Sequence, residues 1–290
     1  MSKILQPSQQ FNLQQKIARK SINEFAPKLK EALQYDFNKA AELVQELGAD
    51  QVANFNKTFF DNNKVSNILR TLYEGTGGYT AMRYQKIFDK YKKDEAIDID
   101  PLNILDEWLA FMLSYWTAIS GPKMFGIQNT TDNEIARILN TVLQYGKDNN
   151  LSRDEINSLA IQTLREGKIN NARSLLIART ETHQALSTGA MGATRGINIP
   201  LLKQWVHAEY VALPRAWHQA LDRQTNPDDG GVRIPVNQPF LVNTPKYGVI
   251  EMQYDIITEL HCVIESPNKI FLVFHTLPEL HQKYIPHLLF

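Results

Sequence analysis

Through the first two-thirds of the chain, hydrophobic residues recur at steps of three and four, the spacing that places side chains on one face of an α-helix. The segment "KAAELVQELG" shows this pattern and ends at Gly48, a residue type that favours a helix C-cap. The glycines of "EGTGGYT" interrupt the pattern and predict a loop or hinge. We therefore expect several short helices in residues 1–100. Other early helical sets are Ile22, Phe25, Leu29 and Leu33, and Val65, Ile68, Leu69 and Leu72.

Two further helix starts carry the signature of a capping box, a Ser or Thr followed three residues later by Glu. Thr131 with Glu134 predicts one start, and Ser152 with Glu155 predicts the next. Gly167 is placed to end the second helix. These signals extend the helical region well beyond the first hundred residues.

The most apolar segment is "WLAFMLSYWTAI", from Trp108 to Ile119. It is much shorter than the roughly 20 residues that a membrane span requires. We therefore expect no membrane span here, and instead a helix that is buried on nearly all sides.

The pattern changes after Gly196. Prolines become frequent, and short runs rich in β-forming residues appear, among them "LLKQWVHAEYV", "PFLV", "YGVIEMQY" and "KIFLVFH". Because helices and strands are segregated along the chain, the predicted fold class is α+β, with a largely helical N-terminal two-thirds followed by a small, loop-rich β region. The predicted divisions are a helical region over 1–100, a helical part of a second domain over 101–196, its β part over 197–266 and a tail over 267–290.

Composition narrows the choice of partners. The 290 residues are 43% hydrophobic and 21% charged, as expected for a folded globular protein. Lys plus Arg equals Asp plus Glu, at 31 each, so no overall field attracts the chain to nucleic acid or an anionic membrane. The single cysteine, Cys262, excludes an internal disulfide and fits assembly in a reducing compartment.

A dense polar group lies in the helix predicted from about Asn171 towards Arg195. At about 100° per residue, Arg179 and His183 share one arc with apolar neighbours, whereas Glu181 points away from it. One interpretation is that Arg179 and His183 hold the β region against the helix; the other is a catalytic Arg/Glu/His set. The structural interpretation is favoured, because Arg179 and Glu181 do not share a face.

Glycines follow the polar group at helical spacing. Gly189, Gly192 and Gly196 are separated by three and four residues. Glycine destabilises a helix relative to alanine, so a close approach by another backbone is the expected reason for their presence.

A second polar cluster occupies "LPRAWHQALDRQ". His218 and Asp222 are four residues apart and would pair if this stretch is helical. A metal site would need more ligands, for which His261 and Cys262 are the downstream candidates. The chain has no C-x-x-C, H-E-x-x-H or G-x-S-x-G motif, so no cofactor, metal or nucleophile is predicted.

Taken in order, these motifs resemble the Mu F-like minor head protein family of tailed bacteriophages, also called head morphogenesis proteins. The resemblance covers roughly residues 120–265 and rests on "IARTETHQALSTG", "KQWVHA", "RAWHQALDRQ", "VRIPVNQPFLV" and "LHCVI". Arg223 stands where the family has glycine, and Val263 and Ile264 replace the arginine and second cysteine of its last motif. The positions that match the family's motifs are Arg179, Thr180, Glu181, Lys203, Trp205, Arg215, His218, Leu221, Asp222, Gln224, Phe240 and Cys262.

The resemblance implies a non-enzymatic minor capsid protein, located in the virion head and made in the host cytoplasm. Its implied partners are the portal and the major capsid protein, with packaged DNA as a further candidate. The motif residues, together with His183, would then be structural anchors. The apolar end of the chain, "LPELHQKYIPHLLF", is predicted to dock on another protein.

Two alternatives stay open. The first is a virion-associated enzyme, ADP-ribosyltransferase-like or a nuclease, that uses the Arg, Glu and His residues between 179 and 222. The second is a DNA-binding module, although the basic residues near the N-terminus are interleaved with Glu24 and Glu31.

Overall fold

A computed structural model describes most of the chain. The described residues are 7–54, 62–92, 101–193, 201–206, 216–235, 238–244, 248–252, 258–266 and 269–276. The apolar end that was predicted to dock on a partner lies outside these residues.

The described residues are mostly helical, which confirms the prediction for the N-terminal two-thirds. The α-helices are α1 (Pro7–Leu47), α2 (Ala49–Ala53), α3 (Asn62–Leu72), α4 (Gly78–Lys92), α5 (Pro101–Asp148), α6 (Arg153–Glu166), α7 (Lys168–Ala193) and α8 (Ala216–Thr225). A π-helical turn (Tyr73–Gly77) joins α3 to α4, and a 3₁₀ turn (Pro227–Asp229) follows α8.

The helices of the first hundred residues are interrupted less often than predicted. The two helices expected before Gly48 are one helix, α1, of 41 residues. Gly48 ends α1 as predicted, with a φ of 96° that favours glycine. The loop expected at the glycines of "EGTGGYT" is wrong, because the chain stays helical through the π turn and into α4.

The two predicted capping boxes have opposite outcomes. The one at Thr131 is wrong: Thr131 lies inside α5, a helix of 48 residues, and its hydroxyl donates to the main-chain oxygen of Ile127 at 2.8 Å. The one at Ser152 is confirmed. Its Oγ accepts from the N–H of Glu155, and its own N–H donates to the Glu155 carboxylate at 2.7 Å. Gly167 ends α6 with a φ of 62°.

The apolar stretch of α5 buries one face only. Trp108, Met112 and Trp116, one turn apart, are at most 5% exposed. Leu109 and Leu113, on another face, are about 40% exposed. The prediction of a helix buried on nearly all sides is therefore wrong. Among the described helices, none combines the length and the apolar character needed to cross a membrane.

By contacts the chain separates into two units. One consists of Met1–Ser21, Leu72–Ser114 and Thr180–Phe290, and the other of Ile22–Thr71 and Tyr115–Arg179. We call them the strand-containing unit and the helical unit. Each is built from separated stretches of sequence, and the four divisions predicted from composition stay a prediction.

The helical unit has a continuous apolar core contributed by α1, α2, α5 and α6. Its buried residues are Phe37, Ala40, Ala41, Val44, Ala49, Val52, Ile135, Ile138, Leu139, Val142, Ala160 and Leu164. The small residues of α1 allow the isoleucines and leucines of α5 to approach closely, as close packing of an interior requires.

The described strands belong to the other unit. They are β1 (Leu201–Val206), β2 (Ile234–Pro235), β3 (Phe240–Thr244), β4 (Gly248–Met252), β5 (Thr258–Ser266) and β6 (Lys269–Thr276). Four of these strands pair side by side in the order β2-β1-β6-β5. Strands β1 and β6 are parallel, and the other two pairs are antiparallel. Strands β3 and β4 form a separate antiparallel pair. Strand β6 lies within residues 267–290, which were predicted to be a tail.

Candidate functional site

The polar group of α7 lies in the interior of the protein. Every residue from Glu181 to Ala190 is buried. Six of these ten positions carry polar side chains, namely Glu181, Thr182, His183, Gln184, Ser187 and Thr188. Buried polar groups are costly unless they are hydrogen-bonded, so this segment depends on partners from neighbouring elements.

Glu181 has such a partner. The Tyr73 hydroxyl donates to its Oε2 at 2.8 Å, and Tyr73 is itself fully buried. The expectation that Glu181 points away from the covered face is wrong, since the residue is only 6% exposed. Glu181 is covered because α7 is buried around its whole circumference from Glu181 to Ala190, and a helix of this kind has no outward face.

Arg179 and His183 differ in exposure, although both were predicted to lie on the covered face of the helix. His183 is 8% exposed, whereas Arg179 and Thr180 are partly exposed. Arg179 belongs to the helical unit and His183 to the strand-containing unit. The role of Arg179 in holding the β region stays a prediction.

Of the three glycines predicted to allow close approach of another backbone, Gly189 does so, whereas Gly192 lies against a side chain. A Cβ on Gly189 would overlap the main-chain oxygen of Gly77 in the π turn. A Cβ on Gly77 would overlap Met112, and one on Gly192 would lie 2.7 Å from the Phe111 ring. Because neither Gly189 nor Gly77 has a side chain, the backbones of α7 and the π turn can lie in direct contact. Gly196 lies outside the described residues.

Hydroxyl groups connect the π turn to its neighbours. The Ser21 and Thr76 hydroxyls lie 2.8 Å apart, and Thr80 donates to the main-chain oxygen of Thr76 at 2.7 Å. Farther along, the side-chain amide of Gln14 donates to the Tyr84 hydroxyl. These contacts tie the start of α1 to the π turn and to α4.

Two of the motif residues after residue 200, Leu221 and Phe240, are linked to Trp205, which is fully buried in β1. The main-chain N–H of Trp205 donates to the Thr225 hydroxyl of α8 at 2.8 Å. Its ring meets Phe240 of β3 edge-on, with ring centres 5.3 Å apart at an angle of 88°. The Thr225 hydroxyl also lies 2.9 Å from the Leu221 main-chain oxygen, to which it donates. Trp205 therefore joins β1, α8 and β3.

The remaining described motif positions lie on α8, β1 and β5. His218 and Asp222 lie one turn apart on α8, which is helical as their pairing would require. Asp222 is 6% exposed and Gln224 is exposed. Lys203 lies in β1 and Cys262 in β5. The side chains of Lys203, His218 and Cys262, and all of Arg215, lie outside what the structure describes.

The described part of the chain contains no cluster of three or more His, Cys, Asp or Glu residues arranged to hold a metal ion. The carboxyl groups of Glu181 and Asp222 are both largely covered. Within the described residues, the arrangement is that of a polar interior.

One partly buried cation of the helical unit, Arg173, was not predicted from the sequence. Arg173 of α7 donates to the main-chain oxygen of Ile127 at 2.7 Å. Burial lowers the pKa of Arg173 to about 10, against the opposing effect of Glu134, Asp36 and Asp132. Asp36 is itself fully buried. An arginine next to the apolar run of α7 can be seen in the sequence, but the Ile127 oxygen that accepts its hydrogen bond and the nearby charge of Asp36 cannot.

Comparisons with family models, with curated proteins and with solved structures find no match to this chain.

Proposed function

We propose that this chain is a minor head protein of a tailed bacteriophage, with a structural role at or near the portal and an α+β domain of the head-morphogenesis type. The observation that carries the proposal is that five of the matched motif residues are buried, and that Glu181, Trp205 and Phe240 among them contact other elements. Such residues stabilise a fold.

Burial also favours this proposal over the enzymatic alternative. A general acid or base must come within hydrogen-bond reach of its substrate. The Glu181 carboxyl is covered and already accepts a hydrogen bond from Tyr73, and Asp222 is covered on α8. A catalytic role would require either side chain to become accessible.

The location and the partners rest on the resemblance over residues 120–265. It implies a position in the virion head, synthesis in the host cytoplasm and binding to the portal or the major capsid protein. Residues before 120 lie outside the resemblance, and we propose that they help select the partner surface.

The test is to locate the chain in purified particles. Procapsids and filled heads of the phage that encodes it are separated on a density gradient, and the chain is quantified against the portal by mass spectrometry. We expect it in both fractions, and expect its amount to fall in particles assembled without portal. Heads that assemble normally and lack the chain would contradict the proposal.

A second arm of the same experiment separates structure from catalysis. Glu181→Gln and His218→Ala chains are introduced into the phage. If both reduce incorporation into heads, the anchor role is supported. If particles form normally and a chemical activity of the head is lost, the enzymatic alternative replaces the proposal.

A further inference from the structure

A cluster of lysines surrounds one exposed aromatic ring in the helical unit. Tyr35 of α1 is 38% exposed. The ammonium nitrogen of Lys64, on α3, lies 3.0 Å from its ring centre, and that of Lys39, one turn along α1, lies 4.5 Å from it. Two cations from two helices thus converge on one ring.

These cations have no acidic partner in the described part of the chain. No described carboxylate lies within ion-pairing distance of Lys30, Lys39 or Lys64. Lys28 differs, because it pairs with Glu24 at 2.9 Å. A tyrosine ring attracts ammonium groups but carries no net charge, so it does not neutralise Lys39 and Lys64.

Tyr35 and Lys64 also line a groove between α1 and α3, whose α1 side runs from Pro27 to Asn38; Lys39 follows directly after its end. Three lysines line it, Lys28, Lys30 and Lys64, against a single acidic residue, Glu31. At 1.5 Å per residue, this part of α1 is about 17 Å long. One strand of duplex DNA presents about five phosphates over that length.

We propose that this groove binds the phosphodiester backbone of a nucleic acid. Lysines act on phosphates as point charges, without the bidentate geometry that arginine supplies, so contacts of this kind carry no sequence preference. The evenly spaced phosphates of one strand would lie along the lysines of the groove, and the Tyr35 ring holds Lys64 and the adjacent Lys39 in place. The biological setting rests on the proposed function, in which packaged DNA is the nucleic acid at hand.

The test measures binding of the full chain to a fluorescent 20-base-pair duplex by anisotropy over a range of salt concentrations. The variant is Lys39→Gln with Lys64→Gln. Its matched control is Lys86→Gln with Lys147→Gln, two exposed lysines outside the groove that remove the same charge. Circular dichroism checks that all chains fold alike.

We expect the groove variant to bind at least fivefold more weakly, with a salt slope smaller by about two, one unit for each lost phosphate contact. The control should keep the affinity and slope of the unchanged chain. Tyr35→Phe, which retains the ring, should bind as well as the unchanged chain, whereas Tyr35→Leu should weaken binding because the lysines lose their common support.

Three results would overturn the inference. The unchanged chain could fail to bind the duplex, or the control pair could weaken binding as much as the groove pair. The third is displacement of the duplex by polyglutamate or inorganic phosphate at equal charge, which would assign the groove to acidic peptides or to small anions. None of these results bears on whether the chain is found in heads.

Discussion

At the scale of single residues, the main feature of the polar side chains in α7 is that they are buried from Glu181 to Thr188. Glu181 was selected from the sequence for its chemistry, and the structure places it against Tyr73 in the interior. Its partner could not be predicted, because Tyr73 is 108 residues away along the chain. The residue type was visible in the sequence, and its environment was not.

The hydrogen bond between Tyr73 and Glu181 has a direct test. Tyr73→Phe removes one hydroxyl and leaves a buried acceptor without its donor, which should lower the free energy of unfolding by about 1–3 kcal/mol. Urea denaturation followed by circular dichroism measures the change. Tyr79→Phe, at a residue that is 44% exposed, is the control and should change stability by less than about 0.5 kcal/mol. Equal effects of both variants would mean that the contact contributes nothing specific.

At the scale of elements, the sequence located helices well and misjudged some of their ends. The capping box at Ser152 and the glycines at 48 and 167 act within a few residues, and all three are confirmed. Thr131 carries the same signature as Ser152 and lies inside α5. A capping signature is compatible with the start of a helix at that residue. At Thr131 the helix α5 instead continues, because tertiary context overrides the local signal.

The crossing of α7 and the π turn also has a test. Gly189→Ala would place a methyl group against the Gly77 main-chain oxygen, and a backbone cannot move aside as a side chain can. We expect a loss of about 1–3 kcal/mol in stability, the usual cost of overpacking. Thermal unfolding measures it.

The control for this crossing is Gly75→Ala in the same π turn. No atom lies within 4 Å of an added Cβ there, so the change should be neutral or stabilising by about 0.5–1 kcal/mol. If Gly189→Ala were as harmless as Gly75→Ala, the close approach of the two backbones would be wrong.

At the scale of the whole molecule, the two units do not follow the chain in order. The helical unit combines Ile22–Thr71 with Tyr115–Arg179. Its core joins Phe37 and Val44 of α1 to Ile135 and Leu139 of α5, about a hundred residues later. The family resemblance begins near residue 120, so it omits one side of this core.

A fragment covering residues 120–265 tests this consequence. It retains the resembling motifs, but it lacks α1 and therefore exposes the apolar face of α5. We expect helical far-UV circular dichroism with no cooperative urea transition, whereas the full chain should unfold cooperatively. A fragment that unfolds as sharply as the full chain would instead support the division predicted near residue 100.

What the sequence by itself determined is local. Periodicity indicated helix within α1 and α3, because the side chains that form one helix face are three and four residues apart. Glycine and capping residues located several ends, because they satisfy backbone groups within one turn. Tertiary structure alone decided that Glu181 is buried, that Gly77 and Gly189 meet, and that α5 is continuous. Each of these depends on which distant element covers a given side of a helix, and spacing along one helix carries no information about its neighbours.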